Sequence, residues 1–114
     1  RGHAIECRIY AEDPATFLPS PGVLETFVLP ELSDIRVDTG YAQGDPVTPY
    51  FDPLLAKVIA WGEKRDDALK LMKNALEVTE VSGVKTNIPT LEAALRHPDF
   101  TTGRYTTSFV EKLA

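Results

Sequence analysis

The residue pattern changes period once along this chain, at Gly62, and that switch narrows what it can fold into. Before it, polar and apolar residues alternate, or short apolar runs are bounded by turn residues; after it, apolar residues recur at helical spacing. From His3 to Glu12, Ile5, Cys7, Ile9 and Ala11 fall on one face of a strand and Glu6, Arg8, Tyr10 and Glu12 on the other. Asp13-Pro14 ends that strand, and Pro19-Ser20-Pro21-Gly22 supplies a turn, proline fixing φ and glycine permitting a positive one. Val23–Leu29 and Ile35–Asp38 read as further strands. Thr39–Pro53, with two glycines and three prolines, reads as a long ordered loop. Leu54–Trp61 is apolar except for Lys57, the pattern of a strand inside a sheet.

Beyond Gly62, Ala68, Leu69, Met72, Ala75, Leu76 and Thr79 line one helical face, with Asp66 and Asp67 where the helix dipole favours acids and Gly83 as a stop. Thr86 or Asn87 caps a second helix carrying Pro89 in its first turn and Leu91, Ala94 and Leu95 on its inner face, ended by His97-Pro98. Thr106-Thr107-Ser108 offers caps for a short final helix bearing Phe109 and Leu113. Strands first and helices second predict an α+β fold: a small antiparallel sheet followed by two or three C-terminal helices. At 114 residues the chain fits one domain with one core, spanning 1–114. It opens Arg-Gly-His without an initiating Met, which reads as a cut from a longer polypeptide.

Composition excludes several classes of function. A net charge of −5 without a run of Lys and Arg argues against nucleic acid as a partner. No apolar run reaches the roughly 20 residues that span a bilayer, and no signal peptide is visible, so no membrane partner is expected. The single cysteine, Cys7, excludes an internal disulfide, and with His3 and His97 far apart there is no metal signature. A reducing compartment, cytoplasm or mitochondrial matrix, fits. Phosphate-binding loops, nucleophile elbows and H-E-x-x-H are absent. Glu12 and Asp13 are adjacent and would point to opposite faces of a strand, so they do not form an acid–base pair.

Several short motifs nevertheless stand in a telling order. Arg1-Gly-His-Ala-Ile-Glu-Cys-Arg-Ile-Tyr-Ala-Glu-Asp13 is followed by Phe17-Leu-Pro-Ser-Pro-Gly22, by Pro49-Tyr-Phe-Asp-Pro53 with Ala56-Lys57 and Gly62, and by Lys73-Asn-Ala-Leu76 and Gly83-Val-Lys-Thr-Asn87. In this order and spacing the chain resembles, essentially end to end, the C-terminal domain of biotin carboxylases. The resemblance implies part of a ligase that uses ATP and bicarbonate to carboxylate biotin on its carrier protein. Acetyl-CoA and propionyl-CoA carboxylases are among its users, the former in fatty acid biosynthesis. ATP with Mg or Mn would be held by a preceding ATP-grasp part, leaving the isolated 114 residues inactive. A biotin carboxyl carrier protein or domain, a carboxyltransferase and a second copy in a homodimer are the further implied partners.

The resemblance carries one residue directly. Arg8, the arginine of Glu6-Cys-Arg-Ile9, would contact bicarbonate and the ureido oxygen of biotin, where a fixed guanidinium stabilises negative charge as it develops. Glu6 is either its orienting partner or a solvated acid, and the alternative for Arg8 itself is a surface salt bridge with Glu6. Asp52 and Lys57 are expected to pair and lock the long loop, while Cys7 is read as packing and Tyr50 and Phe51 as core or loop anchors. By resemblance, Arg36 lies at a dimer interface and Thr107 near the adenine pocket. Ser33 departs from the aromatic residue of better-known bacterial members, which weakens the expectation of their dimer. The competing reading is a non-catalytic packing or oligomerisation module in which Arg8 is structural.

Overall fold

The computed structural model describes residues 2–50, 52–96 and 109–113, the last stretch as backbone. The alternating segment forms β1 (His3–Tyr10), and the apolar run forms β6 (Leu54–Gly62). The two pair antiparallel along their whole length, from His3 opposite Gly62 to Tyr10 opposite Leu54. β4 (Ile35–Thr39) joins the other edge of β6, and β8 (Phe109–Leu113) joins the other edge of β1, giving a four-stranded antiparallel sheet in the order β4-β6-β1-β8. Residues opposite one another share a face. One face therefore carries the apolar rows Ile35–Ala60–Ile5 and Val37–Val58–Cys7. The other carries Arg36–Ile59–Glu6 and Asp38–Lys57–Arg8.

The apolar rows are covered by α1 (Arg65–Val78) and α2 (Ile88–Arg96). Ala68, Leu69, Met72, Ala75 and Leu76 of α1 and Leu91 and Leu95 of α2 are buried with Ile5, Cys7, Ile9 and Val58 in one core. The Asp67 carboxylate accepts from the Lys64 N–H at 3.3 Å, satisfying one of the donors that open α1. Thr79 closes the helix, its hydroxyl donating to the Ala75 carbonyl at 2.8 Å. The α+β class, the central place of Leu54–Trp61 and both helices agree with the sequence.

Other expectations need correction. Phe109–Leu113 is the strand β8, not a final helix. Spacing and caps allow a helix there, but the vacant edge of β1 offers a backbone partner, and pairing runs from His3 opposite Leu113 to Cys7 opposite Phe109. Val23–Leu29 is not one strand: β2 (Gly22–Val23) pairs with β5 (Pro46–Val47) of the long loop, while β3 (Thr26–Val28) pairs with β7 (Glu80–Ser82). That loop is ordered by its contact with Leu24, whose N–H donates to the Asp45 carbonyl at 2.9 Å and whose carbonyl accepts from the Gly44 N–H at 2.7 Å. His97 and Pro98, read as ending the second helix, lie outside the described residues.

Gly83 does not stop α1, which ends at Val78; it follows β7. Its φ is +94°, and a Cβ there would lie 1.8 Å from the Val23 carbonyl oxygen. Glycine is required on both counts. Gly83→Ala is expected to destabilise the protein by about 2–4 kcal/mol, the sum of left-handed strain and overpacking. Denaturant unfolding of the variant checks this, and a loss below about 1 kcal/mol would contradict the close approach.

The turn after β1 carries a second, pH-dependent tie. The Asp13 carboxylate accepts from the Ala15 and Thr16 N–H groups at 2.8 and 3.3 Å and from Lys85 Nζ at 3.1 Å. The Ala15 N–H first, and then the Lys85 ammonium, hold its carboxyl below the ordinary range. A depressed folded-state pKa contributes stability in full above the unfolded value near about 3.9, and loses it as pH falls through the lower folded value. The melting-temperature gap between wild type and Asp13→Asn should be constant above about pH 5 and should close below about pH 4. A gap that widens on acidification would contradict the assignment.

Candidate functional site

The pleat that buries Ile5, Cys7 and Ile9 sends Glu6, Arg8 and Tyr10 to the face of β1 opposite the helices. Arg8 Nε donates to Glu6 Oε2 at 2.9 Å. The two side chains differ in exposure: Glu6 is 12% exposed and Arg8 42%. The acid is thus settled against the sheet, while the Arg8 side chain is part exposed. Glu6 first, then the Tyr10 side chain, raise the pKa of Arg8 above its already high value, so the group stays a cation at every relevant pH. A guanidinium held by Glu6 at Nε and beside Tyr10 still has more donors than these two partners use, and its planar fork suits a carboxylate-like anion or a ureido oxygen. The surface salt bridge weighed from the sequence does form, in a geometry that also orients the guanidinium.

The neighbours of Arg8 follow from the register. Lys57 lies opposite it on β6, with Asp38 beyond on β4, so an acid and two cations cross the sheet in one row. Arg36 lies on the same face, 74% exposed, its Nε donating to Asp38 Oδ1 at 3.1 Å. Ser33 is exposed in the turn before β4.

The expected ion pair of Asp52 with Lys57 does not form. Asp52 Oδ1 instead accepts from the Leu54 N–H at 3.0 Å, closing a local turn at the start of β6, while Lys57 stands in the row with Arg8 and Asp38. A carboxylate two residues from a backbone donor satisfies itself locally at less entropic cost than by ordering a lysine chain. Cys7 is buried, and burial, then the nearby Glu6 charge, push its thiol well above the ordinary value, as suits a packing residue rather than a nucleophile. Tyr50, read as a core or loop anchor, is instead almost fully exposed. Phe51 and Thr107 lie outside the described residues.

One residue at the site carries more than its sequence reading as a helix cap. Asn87 sits just before α2 and is buried at 2% exposure, with its amide against β1. Its Oδ1 accepts from the Tyr10 N–H at 2.7 Å and its Nδ2 donates to the Arg8 carbonyl at 3.0 Å. Its place in the Gly83-Val-Lys-Thr-Asn87 motif and its reading as a helix cap gave no sign of its contact with β1. Among the described residues no three or more His, Cys, Asp or Glu side chains gather as a metal site, and no helix is long and apolar enough to cross a membrane.

Comparison with known proteins agrees with this arrangement. Residues 6–112 match the family model of the biotin carboxylase C-terminal domain. Over 110 residues the chain is 48% identical to a biotin carboxylase of Halalkalibacterium halodurans, covering 96% of this chain and 24% of that protein. It is 43% identical over 111 residues to the mitochondrial methylcrotonoyl-CoA carboxylase subunit alpha of Dictyostelium discoideum, covering 96% and 16%. Among solved structures, the biotin carboxylase domain dimer of Hydrogenobacter thermophilus 2-oxoglutarate carboxylase, in complex with MgADP, ADP and bicarbonate, superposes with a TM-score of 0.86 at 45% identity. That superposition covers 91% of this chain and 23% of the other. The chain thus spans about a quarter of the length of the biotin carboxylase it matches. An outward arginine seated by its own strand, on a sheet of this topology and with these relatives, places the chain in the biotin carboxylase C-terminal domain family.

Proposed function

We propose that this domain supplies the biotin- and bicarbonate-facing wall of an ATP-dependent biotin carboxylase, with Arg8 as the catalytic residue of that wall. The observation that carries the reading is the part-exposed side chain of Arg8 on the face of β1 away from the helices, its Nε bound to Glu6. Loss of the proton from the ureido nitrogen of biotin puts negative charge on the ureido oxygen. A guanidinium already in place stabilises that charge without reorganisation, and the same fork suits bicarbonate. Glu6 orients Arg8 and keeps the cation in place between turnovers. That a relative's biotin carboxylase domain, from Hydrogenobacter, is seen in complex with bicarbonate supports this anion as a ligand of the intact enzyme.

ATP and its Mg or Mn belong to the ATP-grasp part of the intact enzyme, which with the biotin carrier and a carboxyltransferase makes up the proposed set of partners. Thr107 is a nucleotide-pocket candidate and Arg36 a contact in a homodimer. The relatives span methylcrotonoyl-CoA and 2-oxoglutarate carboxylases as well as plain biotin carboxylases. A step common to them all fits the domain best, and an acetyl-CoA carboxylase serving fatty acid biosynthesis is one setting for it. The cytoplasm is the proposed location, or the mitochondrial matrix in a eukaryote, in line with the Dictyostelium relative.

The test is steady-state carboxylation of free biotin by the intact enzyme. Arg8 lies on the face away from the helices, so Arg8→Ala opens no core cavity and should leave the melting temperature nearly unchanged. The rate should fall by roughly 100- to 1000-fold, the usual cost of removing a donor aimed at developing charge. Arg8→Lys should recover part of it, because a point charge cannot reproduce the fork. Nucleotide binding should be unchanged in both variants. A folded Arg8→Ala enzyme within a few-fold of wild type would instead favour the packing-module reading, in which the Glu6 pair is only structural.

A further inference from the structure

We propose that Asn87 is a positioning residue for Arg8, acting through the backbone of β1; the inference rests on the assignment of Arg8 made above. Among the described residues β8 pairs with β1 from His3 to Cys7, and it is Asn87 that meets the main-chain groups of Arg8 and Tyr10 beyond that stretch. On the opposite edge the pairing with β6 becomes irregular between Ile9 and Tyr10.

Asn87 takes the place of a neighbouring strand there. In an extended chain, residues i and i+2 present their backbone groups to the same edge. The Asn87 amide spans such a pair, Nδ2 donating to the Arg8 carbonyl at 3.0 Å and Oδ1 accepting from the Tyr10 N–H at 2.7 Å. The main chain of Asn87 adds a third tie, its N–H donating to the Tyr10 carbonyl at 3.2 Å. The Asn87 carbonyl meanwhile accepts from the Leu91 N–H at 2.9 Å, so the residue that grips β1 also opens the hydrogen bonding of α2. Only an amide of this length offers one donor and one acceptor at this spacing: Asp lacks the donor, and a hydroxyl is too short to reach both groups.

Glu6 holds the Arg8 head at Nε, and Asn87 holds the root from which the side chain grows. A preorganised donor acts only if it is already at the height and angle where charge develops, and displacement by about 1 Å can cost on the order of 100-fold in rate. Asn87 also shields these backbone groups from water, which would otherwise compete for them as the strand end frayed.

The test again uses the intact enzyme, with variants assayed well below their melting midpoints. Asn87→Asp keeps the size and the acceptor for Tyr10, but sets a carboxylate oxygen against the Arg8 carbonyl. Asn87→Ser, which brings no such clash, is run beside it in case the aspartate does not fold. Both should raise KM for bicarbonate and biotin and lower kcat for biotin carboxylation, reducing kcat/KM by about 10- to 100-fold. KM for ATP should stay within about two-fold, since the nucleotide is bound elsewhere. Leu95→Ala, a cavity in the same helix, should lower the melting temperature without moving KM for bicarbonate or biotin. The double variant Arg8→Ala/Asn87→Asp should be no slower than Arg8→Ala alone, because both substitutions remove one effect.

Three outcomes overturn the proposal: wild-type KM values in both Asn87 variants, an equal KM shift in Leu95→Ala, or multiplicative losses in the double variant. If Arg8→Ala alone is near wild type, the functional reading itself falls and takes this one with it. If Arg8→Ala is impaired while the Asn87 variants are not, only the positioning role falls.

Discussion

The antiparallel ladder between β1 and β6 decides almost everything else in this domain. Its register sets Ile5 against Ala60 and Cys7 against Val58 on the side of the helices, and Glu6 against Ile59 and Arg8 against Lys57 on the other. A slip of one residue would bury Glu6 and Arg8 in the core and expose the isoleucines. Burying both charges would carry a desolvation penalty that their pairing need not repay. The hydrophobic effect acting on Ile5, Cys7, Ile9, Val58 and Ala60 thereby fixes, with no further information, the direction in which Arg8 points.

The ladder also limits what each edge of β1 can do. β6 follows the strand along its full length, whereas among the described residues β8 pairs with it from His3 to Cys7. The carbonyl of Arg8 and the N–H of Tyr10 then need partners within the protein, and the chain returns to them from the turn before α2, with Asn87. Buried peptide groups are rarely left unpaired, so some residue had to come back to this edge. That it is an asparagine, whose carbonyl also begins the hydrogen bonding of α2, ties helix position to strand position.

How much of this could be read in the sequence depends on the range of the interaction. The buried face of β1, the interior strand β6 and the inner faces of α1 and α2 rest on repeats within a single element, and those repeats are visible in the residues. Glu6 and Arg8 are two apart on one strand, so their proximity was legible as well. The strand Phe109–Leu113 was not: it pairs with a segment about a hundred residues earlier, and its caps and spacing suit a helix equally well. β7 has three residues, too few to show a period. Gly83 looked like a helix stop because the nearness of Val23, which demands a glycine there, is tertiary. Asp52 and Lys57 invited pairing by their closeness in the chain, yet a turn satisfies the acid locally and the pleat gives Lys57 to the row of Arg8. Asn87 meets β1 across 77 and 79 residues, and nothing in a linear pattern reports such a contact.

The same pleat separates stability from chemistry. The buried side chains of β1 contact the helices, and their volume and shape decide how firmly the domain folds. The outward ones leave no cavity when shortened, so the face bearing Arg8, Lys57 and Asp38 can vary in charge without a matching cost to the core. Asn87 breaks this separation. Its amide is buried like a core residue, yet what it holds is the backbone beneath the outward arginine. A substitution there reaches folding and the site together, and the two effects part only when binding parameters are read beside stability. Tertiary hydrogen bonds of this kind, from a helix entrance to the backbone of a strand, let a rigid core dictate the placement of a side chain on its far face.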